Sequence, residues 1–232
     1  MSPWLQRKAR HVSVDLNNMT LEELRGALAS ELPADAAFDG WTSTALQATA
    51  DRLGVDGDVA GLAFPDGALQ MIDAWFASVD ADMLAACPFE MLATMKIRER
   101  ITTLVESRLS ILAPNREALR RAQAILANPL NARVASRLGW RAADAMWRAA
   151  GDTATDYNHY TKRAILGSVY AATLLIFVND DSEEWADTQA FLARRIDGIM
   201  RFEKAKAKWT GGGTDRHFSM ARFLGRLRYP AA

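Results

Sequence analysis

Residues 150–181, AGDTATDYNHYTKRAILGSVYAATLLIFVNDD, place carboxylates, a histidine, a tyrosine and a Lys-Arg pair directly before a long apolar run. Asp152, Asp156 and His159 stand at i, i+4 and i+7, a metal-like trio if they shared one continuous helix. Ala149-Ala150-Gly151 reads instead as a helix C-terminus and Thr155 or Asp156 as the next N-cap, so the head is a helix break with capping residues. The other histidines, His11 and His217, are remote, and no HExxH or paired ExxH motif occurs, so no metal is expected. The apolar run, Ala164 to Val178, is interrupted by Gly167 and Ser168 and is shorter than the roughly 18 to 20 residues of a membrane span. It predicts a buried helix over 157–178.

At 100° per residue, one side of that helix carries His159, Arg163, Leu166, Tyr170, Thr173 and Phe177, polar at its N-terminal end and apolar beyond. This order suits an amphipathic ligand, with Arg163 towards its head and Leu166, Tyr170 and Phe177 along its body; core packing accounts for any one of them equally well. A second side, Tyr160, Ala164, Gly167, Ala171 and Leu174, is small enough for close helix packing or a narrow cleft. The preceding helix, near 131–150, repeats the theme. Val134, Leu138, Ala142, Ala145 and Ala149 form one stripe, Trp140 and Trp147 stand on another side, and Met146 lies between, the mark of a central helix or one that meets a partner.

Working outward, the rest of the chain is also predicted helical. Thr20 with Glu23 forms a capping box for a helix ending before Pro33, and Thr44 with Gln47 repeats it before Gly54. Further helices are expected near 58–63, 68–86, 89–112, 116–126 and 183–208. The composition, half apolar and about a quarter charged, is that of a folded protein. The lone Cys87 excludes an internal disulfide and reads as a small buried residue; the N-terminus lacks a secretory h-region. A bacterial cytoplasmic setting is expected.

The formal net charge of zero conceals a division. From Arg201 onward, eight Lys or Arg face Glu203 and Asp215, a net +6, which leaves −6 on the body. After the TGGGT linker at 210–214, Met220, Phe223, Leu224 and Leu227 share a helical face flanked by Arg222, Arg226 and Arg228. That pattern predicts an interfacial helix lying in an anionic membrane surface, the alternative being a helix packed on the protein's own body or on a partner.

The first block has the outline of a helix-turn-helix, and LAFPDGALQMID (62–73) resembles the turn into the fourth helix of TetR-type regulators. Between Asp39 and Asp73, however, Arg52 alone faces six aspartates. Such a surface repels DNA, so nucleic acid is not expected as a partner. No Walker A or GxSxG motif occurs, and neither an enzymatic activity nor a cofactor is expected.

The segment from Trp140 to Lys206, with FDGWTSTAL (38–46), FPDGALQMID (64–73) and MKIRERI (95–101), resembles the coenzyme Q biosynthesis protein nine family, over roughly residues 20–208. Its specific part is the AGD-x-x-TD-x-N-x-YTKR segment. The resemblance implies an all-α, TetR-like fold without DNA binding: a helix-turn-helix-like part (1–86), a lipid-binding helical domain (87–209), and a Gly linker with an amphipathic membrane-binding helix (210–232). It implies a non-enzymatic accessory protein of ubiquinone biosynthesis, peripheral on the inner face of a bacterial inner membrane and expected as a homodimer. Its ligands would be a polyprenylated ubiquinone intermediate and phospholipid, presented to the demethoxyubiquinone hydroxylase. Carried over by motif, the hydroxylase-binding patch falls on Met146, Asp156, His159, Tyr160 and Arg163, with Arg163 also the headgroup contact. His159 and Gln189 replace the family's usual tryptophans. The alternative reading is a TetR-type regulator sensing a lipid-like effector.

Overall fold

The computed structural model describes residues 19–152 and 157–209, and among these the chain is all-helical. In order come α1 (Leu21–Asp39), α2 (Ser43–Leu53), α3 (Gly57–Ala63), α4 (Ala68–Ala86), α5 (Phe89–Ala93), α6 (Ile97–Leu112), α7 (Arg116–Leu126), α8 (Ala132–Ala149), α9 (Tyr157–Phe177) and α10 (Ala186–Trp209). Residues up to Ala193 form one compact unit and Arg194 onward a second. The packing below lies within the first.

The Thr20–Glu23 capping box is present: Thr20 N–H donates to Glu23 Oε2 at 2.9 Å and Glu23 N–H to Thr20 Oγ1 at 3.3 Å. The expected stop at Pro33 is not. α1 continues through the proline to Gly40, where the chain turns at φ +72°. An interior proline costs about 3 kcal/mol or more through its missing N–H. Here Leu28, Leu32 and Ala36 are all fully buried, and each buried leucine returns roughly 1.5–3 kcal/mol. Tertiary packing of α1 against α2, α3, α4 and α7 therefore outweighs the local break.

The second cap also shifts. Thr42, not Thr44, caps α2 by accepting from Ala45 N–H, while Gln47 donates to Asp51 at 2.9 Å. Gly54 ends the helix in the left-handed region, as glycine permits at least cost. The helix expected over 89–112 is split into α5 and α6. Lys96 is extended, and its N–H donates to Glu99 Oε2 at 3.0 Å, so a new N-terminus forms within MKIRERI. Arg100 seals the joint by donating to Met95 O (2.9 Å), Ala93 O (3.1 Å) and Ala150 O at the end of α8 (2.8 Å).

Trp41 fixes the helix-turn-helix-like part to the body. Its Nε1–H donates to Ala118 O in α7 at 3.0 Å, and its ring lies 5.2 Å from that of Trp75 in α4. α4 packs against α6 and α8, and α8 against α9, leaving α4, α6, α8 and α9 around a common interior. Past α9, Asp180 accepts from Ser182 N–H (2.9 Å) and Thr188 N–H (2.8 Å) and starts α10 through a turn in which Glu184 and Trp185 have positive φ. Cys87 is buried at the end of α4.

Candidate functional site

An apolar cavity of about 240 Å³ lies among α4, α6, α7, α8 and α9. Its α8 and α9 walls are made of small residues: Ala135, Gly139 and Ala142 on one helix, Gly167 and Ala171 on the other. A β-carbon at Gly167 would stand 3.4 Å from Gly139 O, so these helices approach through their backbones. Leu126, Leu138, Leu174 and Leu175 add apolar side chains, and Leu175 is 61% exposed. The second side of α9 read from the sequence, Gly167, Ala171 and Leu174, thus faces the cavity.

The first stripe divides. Tyr170 lines the cavity, whereas Arg163, Leu166 and Phe177 are buried but are not among its lining. Phe177 meets Trp185 edge-on at 5.2 Å and lies under the Arg116 guanidinium at 5.4 Å. Arg163, 2% exposed, is committed to the α8–α9 joint instead: Nε donates to Asp144 Oδ1 at 2.6 Å and Nη1 to Asp152 Oδ2 at 3.1 Å. Lys162 Nζ donates to the other Asp152 oxygen at 2.7 Å and lies 5.3 Å from the Trp147 ring, whose Nε1–H donates to Lys162 O at 3.0 Å. The AGD and YTKR motifs are therefore two halves of one latch. Burial would raise the Asp152 carboxyl, but the hydrogen bonds from Lys162 and Arg163 outweigh it and hold the group below the usual carboxylate range. The helix break expected at Ala150-Gly151 is present, with Gly151 at φ +90° and Asp152 N–H closing onto Trp147 O at 2.9 Å.

Of the five residues expected at a partner surface, four are described, and two of these are solvent-accessible. Tyr160 is 62% exposed and His159 partly so; their rings lie 5.1 Å apart, and Trp140 from α8 joins them at 5.9 Å and 6.4 Å. Met146 is wholly buried, Arg163 is in the latch, and Asp156 lies outside the described residues. Met220, Arg222, Phe223, Leu224, Arg226 and Leu227 also lie outside them. Among the described residues, no helix is long and apolar enough to cross a membrane.

Sequence reasoning missed the charged side chains at the cavity. Arg108 of α6, 1% exposed, lines it, donating through Nε to Tyr170 Oη at 2.9 Å and through Nη1 to Asp80 of α4. Arg141 Nε donates to the second Asp80 oxygen at 3.0 Å, and Arg141 and Arg137 both pair with Asp73. A signal was available: Arg108 falls on the buried stripe Ile101, Leu104, Val105, Leu109 and Leu112, and Asp80 beside Val79 and Met83. A charge on an apolar face needs a partner of equal burial. In the helix-turn-helix-like part, α3 exposes Val59, Leu62 and Asp58, with its N-cap Asp56, where a DNA reader would carry Arg, Lys, Asn or Gln.

The COQ9 family profile matches residues 132–203, from the start of α8 into α10. The chain is 32% identical to the mitochondrial ubiquinone biosynthesis protein COQ9 of Rattus norvegicus and 31% to that of Homo sapiens; each alignment covers 69% of this chain, and 54% and 52% of the relatives. It thus spans about half the length of those relatives. The crystal structure of a TetR transcriptional regulator from Nitrosomonas europaea superposes with a TM-score of 0.62 at 25% identity, over 77% of this chain and 99% of that one. By sequence the chain belongs to the COQ9 family, and its fold is a TetR-like helical body.

Proposed function

We propose that this protein is a lipid-binding accessory factor of ubiquinone biosynthesis that takes up a polyprenylated quinone intermediate and presents it to the demethoxyubiquinone hydroxylase. The observation that carries this reading is the small-walled apolar cavity beside the Trp140–His159–Tyr160 surface. Gly139 lines the cavity and Trp140, next in α8, belongs to the surface, so a ligand and a protein partner would be held on adjacent residues.

A dry apolar cavity of roughly 150 Å³ accepts a benzene ring. About 240 Å³ therefore suits a substituted ring but not a long tail, which must leave through the mouth beside Leu175. Each buried CH₂ of that tail gains about 0.8 kcal/mol in bilayer or apolar protein alike, so exchange between membrane and protein is nearly balanced. The basic segment 216–228 would hold the protein on an anionic membrane, at the inner face of a bacterial inner membrane, with phospholipid as an alternative occupant. Assembly as a homodimer belongs to the same reading. The protein supplies binding and orientation; the bond-making chemistry belongs to the hydroxylase. The acidic, apolar surface of α3 disfavours the regulator reading, because it offers phosphates nothing to bind.

Protein purified without detergent should carry isoprenoid quinone or phospholipid in solvent extracts analysed by mass spectrometry. Extracts free of lipid at stoichiometric detection would overturn the carrier role.

A further inference from the structure

The cavity is not uniformly apolar: one end is closed by Asp80, Arg108 and Tyr170. Hydrogen-bond accounting at that end is one-sided. Each Asp80 oxygen already accepts a charge-assisted bond, one from Arg108 Nη1 and the other from Arg141 Nε. Tyr170 Oη accepts from Arg108 Nε, and its own proton has no acceptor among the described residues. Arg108 Nη2 makes no hydrogen bond among the described residues either, and it keeps some access at the cavity that Arg108 lines. Donors that open onto an apolar cavity are poorly hydrated, and a ligand that supplies an acceptor there gains a hydrogen bond that water makes less well.

We propose that the Tyr170 hydroxyl and Arg108 Nη2 form a two-donor recognition end that reads a neutral oxygen acceptor, a ring carbonyl or alkoxy group, on an otherwise apolar ligand. This rests on the reading of the cavity as a lipid site and specifies what that site selects. The acceptor is neutral because the Arg108 charge is already met by Asp80 in direct contact, and an anionic headgroup would bring a second negative charge beside that carboxylate. The hydroxyl keeps its proton at neutral pH, since burial raises the Tyr170 phenol against the opposing pull of Arg108. Gln123, the remaining polar lining side chain, offers both a donor and an acceptor, so discrimination falls to the Arg108–Tyr170 pair. The ring end enters first and the tail points to the mouth, because the opposite orientation leaves the two donors unmet.

The test uses the delipidated full chain and three probes with one tail: a hexyl-substituted benzoquinone, hexylbenzene and a hexyl-substituted benzoate, compared by isothermal titration calorimetry. Wild type should bind the quinone about 10-fold more tightly than hexylbenzene, the worth of one or two buried hydrogen bonds. Tyr170→Phe should remove most of that advantage and leave hexylbenzene affinity unchanged. The carbonyl stretch of wild-type-bound quinone should fall relative to its value in alkane, a readout independent of any variant. Equal affinity for quinone and hexylbenzene, an unshifted carbonyl stretch, or benzoate as the tightest ligand overturns the proposal while leaving the cavity a lipid site. If none of the probes binds wild type, the lipid site itself falls and the proposal with it.

Discussion

Asp152 and Arg163 meet across the break between α8 and α9, with Nη1 3.1 Å from Oδ2 and both side chains buried. One sits in the turn that ends α8 and the other near the start of α9, so the pair sets the angle at which the second helix leaves the first. That angle fixes the separation of the two small-residue walls.

Asp152→Asn should therefore destabilise the protein by about 1–3 kcal/mol, because it strands Lys162 and weakens the hold on Arg163, which keeps Asp144. Chemical denaturation measures the loss. In a double-mutant cycle with Arg163→Met, the two effects should be non-additive, since both remove the same contact.

Acid should weaken the fold at a second place. Burial would raise the Asp180 carboxyl, but hydrogen bonds from Ser182 and Thr188 dominate and hold it well below the usual carboxylate range. A depressed carboxylate contributes stability that is fully present above its unfolded value, near 4, and is lost as pH falls through the folded value. Wild-type stability should decline below about pH 4, and Asp180→Ala should cost about 1–3 kcal/mol at pH 7 and progressively less towards pH 2. Thermal melts across that range read both.

Filling the cavity should separate ligand binding from folding. A β-carbon at Gly139 meets nothing within 4 Å, and the residue lines the cavity. Gly139→Leu should leave the melting temperature unchanged or raise it, since replacing a helical glycine gains about 0.5–1 kcal/mol, while bound lipid falls severalfold in extracts.

Much of the body was legible because it rests on periodicity. The α9 run, the Thr20–Glu23 cap and the break at Gly151 each follow from spacing that only one local structure satisfies. The errors lay where tertiary contacts compete with local preference. α1 passes Pro33 because its far half is buried by α2, α4 and α7, and the chain breaks at 94–96 because Arg100 holds the local carbonyls of Ala93 and Met95 together with the sequence-distant one of Ala150. The site was legible in type more than in detail. Arg163 stood at the polar end of an amphipathic stripe, but a helical wheel cannot show which neighbour answers the charge; two aspartates do. The cation at the cavity is Arg108, and its partners lie on α4 and α9.

The walls contributed by α8 and α9 have a further consequence. Alanine has no rotamers, and glycine has no side chain, so a wall of Ala135, Gly139, Ala142, Gly167 and Ala171 cannot repack around a larger guest or collapse onto a smaller one. At those five positions the surface is the backbone's own, while Leu138, Tyr170, Leu174 and Leu175 of the same helices keep side chains that can turn. The lining thus joins a fixed floor, where the two main chains meet at Gly139 and Gly167, to movable leucines around it, so a guest of different girth would be met by side-chain rotation before the helices part.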